Sequence, residues 1–250
     1  MARRATEINS LRSTLPNVLV LDTGSSLTGA QSGTGAKSDQ LYAQVLESLH
    51  YDAVNAGPGE LLATPTALKA LTADGTALLS ANASLASDLP AELPKNLLKP
   101  YVVKQVAGLK VGIVGVTAGG LAGASSQEIQ PAKSAVDALR ALLPEIHKQA
   151  NLVVVLADLD PAGLNALANA GLAVQAILGA QTEAPQQPTV VGSTVVVNGG
   201  GYGYYVDRLT LTVAPDGRVL TYASEDVPLD ARVKDDPTVA KLEKGFASQG

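Results

Sequence analysis

Short runs of uninterrupted apolar residues alternate along this chain with segments that repeat apolar residues at helical spacing. Residues 18–21 and 152–156 are such runs, and they are typical of strands that are buried on both faces. Residues 134–149 show the clearest helical spacing. Because strands and helices alternate, the pattern predicts a fold of the α/β class.

The linking segments differ in length and composition. Residues 23–38 are rich in Gly, Ser and Thr and are predicted to form a long loop, whose length indicates a functional or partner contact. Residues 55–59 are predicted to form a turn, and residues 84–100 a loop interrupted by Pro. The predicted helices are residues 5–15, 39–50, 65–73, 134–149 and 161–170, with another starting at Pro237. The predicted strands are residues 18–21, 51–54, 77–80, 101–106, 110–116, 152–156 and 173–178, followed by two β-rich runs within 189–197.

The last third of the chain has a different pattern. Residues 204–213 and 218–227 are predicted to be antiparallel strands that are joined by the turn sequence Pro215-Asp216-Gly217. Strand–helix alternation followed by hairpin strands predicts an α/β sandwich with mixed sheets. We find no internal repeat and no linker that divides the chain, so residues 1–250 are predicted to form a single domain.

Charge and residue content exclude several functional classes. The net charge is −5, with no basic run beyond Arg3-Arg4, so the sequence predicts no nucleic-acid interface. No apolar stretch reaches the roughly 18 residues of a membrane span. There is no Cys to supply a thiolate metal site, and only two His occur. His50 and His147 end predicted helices, where a cap is expected rather than a metal ligand.

Several segments, taken in order, resemble the N-terminal metallophosphatase domain of the 5′-nucleotidases, within the calcineurin-like phosphoesterases. The matching segments are residues 2–9, 16–22, 51–55, 79–82, 99–117 and 201–213. The resemblance implies a metallophosphatase-like sandwich of two mixed β-sheets flanked by helices. The family's first strand carries an Asp-x-His motif upstream of the segment at which this chain begins, so that strand is expected to be lacking. The family's C-terminal nucleotide-binding domain is likewise expected to be absent.

The metal-binding motifs of that family are altered here. Its chemistry needs two metal ions with a bridging carboxylate, and the resemblance places Ser25 where the bridging Asp would stand. The "GNHE" motif, with an Asn ligand and a catalytic His, reads Gly57-Pro58-Gly59-Glu60. The "SH" and "GGHTH" motifs are also substituted. The vestigial site positions are Asp22, Ser25, Pro58, Gly59, Asp158, Gln181 and Glu183.

These substitutions predict a catalytically inactive protein without catalytic residues, metal or cofactor. Asp158 and Glu183 could hold a hard cation, but two carboxylates without His make a poor transition-metal site. We expect a binding or structural subunit with a protein partner or a second copy, since charge is sparse and an unfilled sheet edge recruits strands. The alternatives are a metal-dependent hydrolase whose N-terminal motif is missing from this chain, and a small-molecule or anion sensor that uses the vestigial cleft. The resemblance also implies an extracytoplasmic location.

Other motifs have simpler explanations. Residues 20–25 match the aspartic-protease signature, but the chemistry needs a second Asp-Thr/Ser-Gly motif, and the sequence has none. Asp22 is therefore expected to accept hydrogen bonds from backbone N–H groups of the following loop. The glycine run 199–203 lacks the Lys of a phosphate-binding loop and predicts a flexible strand entry. Asp160 is expected to cap the helix that begins at Pro161. Tyrosine is enriched at protein interfaces. A cluster of three tyrosines is therefore a candidate interface: Tyr202, Tyr204 and Tyr205.

Overall fold

The computed structural model describes residues 1–30, 33–85, 93–94, 96–118, 120–121, 128–129 and 131–247, and the side chains of residues 120–121, 128–129 and 180–181 lie outside this description. The helices in the described residues are α1 (Ala2–Thr14), α2 (Gly33–Ser48), α3 (Pro58–Leu61), α4 (Pro65–Leu71), α5 (Ala135–Ile146), α6 (Pro161–Ala168) and α7 (Pro237–Ala247). The longest of them, α2, has 16 residues. None of the helices in these ranges has the length and apolar character needed to cross a bilayer.

The strands are short in the first part of the chain and longer in the second. They are β1 (Leu21–Asp22), β2 (Ala53–Asn55), β3 (Ala77–Leu79), β4 (Leu98–Lys99), β5 (Tyr101–Val106), β6 (Leu109–Thr117), β7 (Gly120–Leu121), β8 (Glu128–Ile129), β9 (Leu152–Asp158), β10 (Ala176–Thr182), β11 (Thr189–Val191), β12 (Thr194–Gly200), β13 (Tyr205–Val213) and β14 (Val219–Pro228).

The strands form two main sheets. The first has the order β1-β2-β3-β4, and all its pairs are parallel. The second has the order β11-β12-β10-β9-β6-β5, with four parallel strands in the centre and an antiparallel strand at each edge. Since β9 is buried along its whole length, its continuous apolar run is explained by helices on one face of the sheet and the other sheet on the opposite face.

Three apolar clusters hold these layers together. One lies between the first sheet and helices α1, α2, α4 and α7, and a second lies between the second sheet and helices α5 and α6. The third joins the two sheets, because it contains Leu79 of the first and Ile113 and Leu156 of the second. The predicted sandwich of two sheets flanked by helices is therefore confirmed.

The predicted hairpin of the last third is also confirmed. Strands β13 and β14 form an antiparallel ribbon, with a register shift near Val213. One face of this ribbon packs on the cluster between the two sheets through Leu209, Leu211 and Val219. The ribbon is therefore part of the main body, although it belongs to neither main sheet.

The prediction that residues 23–38 form a loop was wrong beyond residue 32, because α2 begins at Gly33 rather than at Asp39. The start of this helix is fixed by tertiary contacts. Asp39 is fully buried and accepts hydrogen bonds from the backbone N–H groups of Thr28 and Ala30. A side chain within the helix thus holds the preceding segment by hydrogen bonds. The local composition could not indicate these contacts.

Other boundaries also differ from the predictions. Within residues 18–21, the strand includes only Leu21, which pairs with Ala53. The predicted turn at 55–59 contains the start of α3. Strand β10 runs to Thr182 rather than ending at 178. Within the predicted loop 84–100, residues 86–92 and 95 lie outside the described residues, and Leu98–Lys99 form β4.

Candidate functional site

The carboxyl ends of strands from both sheets meet on one side of the sandwich. Asn55, at the end of β2, is fully buried. Its side-chain Nδ2 donates to the carbonyl of Thr23, after β1, at 2.8 Å and to the carbonyl of Val116, in β6, at 2.9 Å. Asp158 ends β9, and its neighbour in the sheet is Thr117 at the end of β6. The loops that follow β1, β2 and β9 are therefore brought together.

Ser25 lies at the centre of this convergence. The turn that places it has two successive residues in the left-handed region, Gly24 at φ +108° and Ser25 at φ +57°. The Ser25 hydroxyl donates to Oδ2 of Asp158 at 2.6 Å. Ser25 is exposed to solvent, whereas Asp158 is only 4% exposed. The loop after β1 is thus joined to the end of β9 by a short hydrogen bond to a carboxylate.

Glu60, in α3, holds the same loop from the other side. Its side chain is fully buried, and its carboxyl group accepts hydrogen bonds from the backbone N–H groups of Ser25 at 2.9 Å, Leu27 at 2.8 Å and Gly57 at 3.0 Å. Burial, followed by the negative charge of Asp22, raises the pKa of Glu60 to about 8, although the N–H donors oppose the rise. Sequence reasoning missed this role.

Asp22 accepts hydrogen bonds from the turn that it precedes, as predicted. Its oxygens accept the backbone N–H of Gly24 at 2.9 Å and the hydroxyl of Ser26 at 2.8 Å. The guanidinium of Arg4 lies near this carboxylate and bonds to Tyr51. Burial lowers the pKa of Arg4, but the neighbouring Tyr51 and Asp22 outweigh it, and the net direction is upward. A permanent positive charge from α1 thus balances Asp22.

The resemblance aligns Pro58 and Gly59 with the family's Asn and His, and the glycines on both sides of Pro58 make tight contacts. Pro58 and Gly59 are buried in the first turn of α3. A Cβ atom at Gly59 would overlap with the carbonyl of Leu27, and one at Gly57 would overlap with Oδ2 of Asp158. Glycine is therefore required at both positions for the loop after β1 to approach α3 this closely.

The remaining predicted positions lie at the end of β10 and just after it, and β10 pairs with β9. Gln181 is a residue of β10, and its side chain lies outside the described part of the structure. Glu183 follows β10 and is exposed. The neighbouring Thr182 hydroxyl donates to the carbonyls of Ala184 and Gly199, so the local hydrogen bonds are to the protein chain. No hydrogen bond among the described residues joins Glu183 to Ser25.

The three candidate interface tyrosines do not form one group. Tyr202 and Tyr204 are 80% and 65% exposed, and their ring centroids lie 6.1 Å apart at a tilt of 42°. Tyr202 has φ +59°, a conformation that is strained for a bulky residue. Tyr205 differs, because its ring is half-buried and lies against Gly200, where no Cβ would fit.

The donor atoms at the site do not suit a pair of divalent metal ions. In the part of the chain that the structure describes, no three His, Cys, Asp or Glu side chains are grouped so that they could hold a metal ion. The carboxylates of Asp22, Asp158 and Glu60 accept hydrogen bonds from the protein instead. Ser25 offers a neutral hydroxyl, which cannot replace a bridging carboxylate between two cations. The site residues therefore do not fit the metals that the resemblance implies.

Neither a protein-family model nor a curated protein matches the chain, but solved structures do. A 5′-nucleotidase precursor from Thermus thermophilus matches with a TM-score of 0.77 and 25% identity, over 99% of this chain and 52% of that chain. The calcineurin-like phosphoesterase YfkN from Bacillus subtilis matches with a TM-score of 0.72 and 17% identity, over 100% of this chain and 88% of that chain. This chain has the calcineurin-like metallophosphatase fold.

The sequence resemblance to the 5′-nucleotidases is therefore confirmed at the level of the fold. Another match is the sulfate thiohydrolase SoxB from Thermus thermophilus, with a TM-score of 0.77 and 18% identity, over 99% of this chain and 46% of that chain. The chain spans about half the length of the first two solved structures that it matches. The metallophosphatase fold places Ser25, Glu60 and Asp158 at the convergence of strand ends described above.

Proposed function

We propose that this metallophosphatase-like domain is catalytically inactive and serves as a binding or structural subunit in an assembly. The observation that carries the proposal is the 2.6 Å hydrogen bond from the Ser25 hydroxyl to Asp158. In this proposal Ser25 stands at the family's bridging position, and its hydroxyl holds the loop after β1 on Asp158. This contact is the kind that stabilises a loop, and a metal ion would have to break it.

The chemistry of metallophosphatases explains why this contact argues against turnover. Two closely spaced cations lower the pKa of a bridging water and neutralise charge on the phosphoryl group. Here one bridging ligand would be the neutral Ser25 hydroxyl, and Glu60 is buried with a pKa raised by that burial to about 8. A cation would gain little negative charge from these two groups and would lose its hydration shell.

Metal titration and hydrolysis assays test the proposal on the same sample. We expect no Mn²⁺ binding at micromolar concentration by calorimetry, and no hydrolysis of nucleoside monophosphates or bis(p-nitrophenyl) phosphate. The Asp158→Asn variant is the control and should behave as the wild type does in both assays. Turnover that requires Mn²⁺ and is lost in Asp158→Asn would instead establish a hydrolase.

We also propose that the loop bearing Tyr202 and Tyr204 contributes to the interface of the assembly. Two exposed aromatic rings in contact provide a large contact area at low cost in side-chain entropy. Sedimentation velocity at increasing concentration should give a mass above 25.4 kDa, and the double substitution of both tyrosines by Ser should return it to that value. The matched control is Tyr222→Ser on the ribbon, where the ring is 40% exposed. A wild type that stays monomeric would contradict self-association.

The single-domain organisation and the extracytoplasmic location that the resemblance implies belong to the same proposal. Unfolding by denaturant should give one transition that is coincident for fluorescence and circular dichroism if the chain is one cooperative unit. Fractionation of the source cells would test the location.

A further inference from the structure

The base of the β13–β14 ribbon docks on the glycine-rich end of β12. Tyr205 and Asp207, two residues apart on β13, point to the same side of the ribbon. The Tyr205 ring occupies the space beside Gly200, and the Asp207 carboxyl group occupies the space beside Gly199, where a Cβ atom would overlap with it. The run of glycines at the end of β12 therefore admits a carboxyl group between the ribbon and the second sheet.

Asp207 directly faces a second carboxyl group. In the antiparallel register Asp207 pairs with Asp226 of β14, so the two side chains lie on the same face and in contact range. Asp226 lies close enough for its charge and a hydrogen-bonding interaction to add to the effect of burial in raising the pKa of Asp207, and the backbone of Gly200 opposes the rise. Oδ1 of Asp207 is buried and has no hydrogen-bond donor among the described residues. Since two carboxyl groups can form a hydrogen bond only if one is protonated, this facing arrangement favours a proton shared between them.

The charged groups of the neighbouring elements do not neutralise this pair. Strand β12 contributes only Asn198 and glycines at this point. On the ribbon, Arg208 and Glu225 pair with each other on the opposite face. From α1, Arg3 donates to the carbonyl of Leu229, and Arg4 approaches the backbone of Gly203 and interacts with Tyr51 and Asp22. In the described ranges, Asp226 is the charged group that contacts Asp207.

We propose that Asp207 and Asp226 form a proton-operated latch that holds the base of the ribbon, and the tyrosine loop beside it, against the second sheet. The loop of residues 201–204 is joined to both sides of this contact. Its Gly201 N–H donates to the carbonyl of Thr182, and its Tyr204 carbonyl accepts from the N–H of Leu229, beyond β14. When the shared proton is lost, the Asp207 carboxylate that packs against Gly199 carries an unneutralised charge in a partly buried contact, and hydration of this charge favours separation of the ribbon base from β12. The latch does not depend on whether the domain is catalytic.

The direction of the pH dependence follows from the proton balance. Burial, then the charge of Asp226 and its hydrogen bond, raise the pKa of Asp207 to about 7 from its ordinary value of 3.8. The closed latch therefore keeps a proton that the open latch releases between these two pH values. Opening should become easier as the pH rises from about 4 to 7, by at most about tenfold per pH unit for one proton, and should change little above 7.

Hydrogen exchange measured by mass spectrometry tests the latch on the full chain. Protection factors, corrected for the intrinsic exchange rate, are compared at pH 5 and pH 7 for peptides from the ribbon base and from the central strand β9. Dividing the protection factor of the ribbon by that of β9 cancels the effect of any change in global stability between the two pH values. We expect this ratio to fall at least fivefold from pH 5 to pH 7 in the wild type.

Two variants determine whether the pair is responsible. The amide of Asp207→Asn donates to Asp226 at every pH, so the protection ratio should stay at its pH 5 value. Asp226→Asn should give the same result, and it replaces the first variant if Asp207→Asn does not fold. Glu225→Gln is the matched control on the opposite face and should keep the wild-type dependence. A flat ratio in the wild type, or an unchanged slope in a folded Asp207→Asn or Asp226→Asn variant, would overturn the latch.

Discussion

Ser25 and Glu60 show how single side chains close the site. The serine hydroxyl donates to Asp158, and the glutamate accepts three backbone N–H groups from the two loops that meet there. The buried carboxyl groups of Glu60 and Asp158 thus gain partners within the protein, which offsets the cost of burying them, whereas Oδ1 of Asn55 is buried without one among the described residues. At the residue scale, the cluster therefore has the properties of a structural network.

Replacing Glu60 by Ala should strongly destabilise the fold. The N–H groups of Leu27 and Gly57 would lose their acceptor in a region from which water is excluded. We expect the free energy of unfolding to fall by about 3 kcal/mol in urea denaturation. The control is Glu183→Ala, which removes an exposed carboxylate and should change stability by less than about 0.5 kcal/mol. Equal effects of the two substitutions would contradict the role of Glu60.

The pH dependence of stability should carry the signature of Glu60. The folded chain keeps a proton on this group up to a pH of about 8, whereas the unfolded chain releases it near 4.5. Raising the pH through this window therefore favours the unfolded state, and the contribution of Glu60 is lost by up to about 1.4 kcal/mol per pH unit. Denaturation of the wild type and of Glu60→Gln between pH 5 and pH 8 measures this slope. A variant with the same slope as the wild type would contradict the assignment.

Helix α3 shows that an element of only four residues can determine the shape of the site. Gly57 precedes it and Gly59 lies within it, and both allow the loop after β1 to contact the helix directly. Its first two residues were predicted to belong to a turn over residues 55–59, since Pro58 between Gly57 and Gly59 gives no helical periodicity. The long helix α5 was predicted almost correctly from its apolar spacing, and the cap of α6 by Asp160 is confirmed by its bond to the N–H of Gly163.

A Gly57→Ala substitution should disrupt the site through packing alone. The new methyl group would overlap with the oxygen of Asp158 that accepts the Ser25 hydrogen bond. We expect thermal denaturation to report a loss of about 1–3 kcal/mol. As a control, Gly245→Ala in α7 adds a methyl group that meets no atom within 4 Å, and it should raise stability by about 0.5–1 kcal/mol. A neutral Gly57→Ala variant would mean that the loop is not held in this position.

At the scale of the whole molecule, the sequence predicts the sandwich but not the closure of its site. The apolar runs and helical spacing depend on local order, and they correctly indicate two sheets flanked by helices. The bond between Ser25 and Asp158 joins residues 133 positions apart, and no local pattern encodes such a pair. The acceptor role of Glu60 also depends on the meeting of two loops. The resemblance could therefore indicate which family positions Ser25 and Asp158 occupy, but not that these two residues bond to each other.

Anomalous diffraction from crystals grown with millimolar Mn²⁺ tests the central claim most directly, because it locates metal ions without assuming an activity. If the domain is inactive because Ser25 and Asp158 bond to each other, no Mn²⁺ peak should lie between Asp22 and Asp158. The Ser25–Asp158 hydrogen bond should then be unchanged. Two peaks about 3.5–4 Å apart at this position, with Ser25 turned away from Asp158, would contradict it and identify a working metallophosphatase centre.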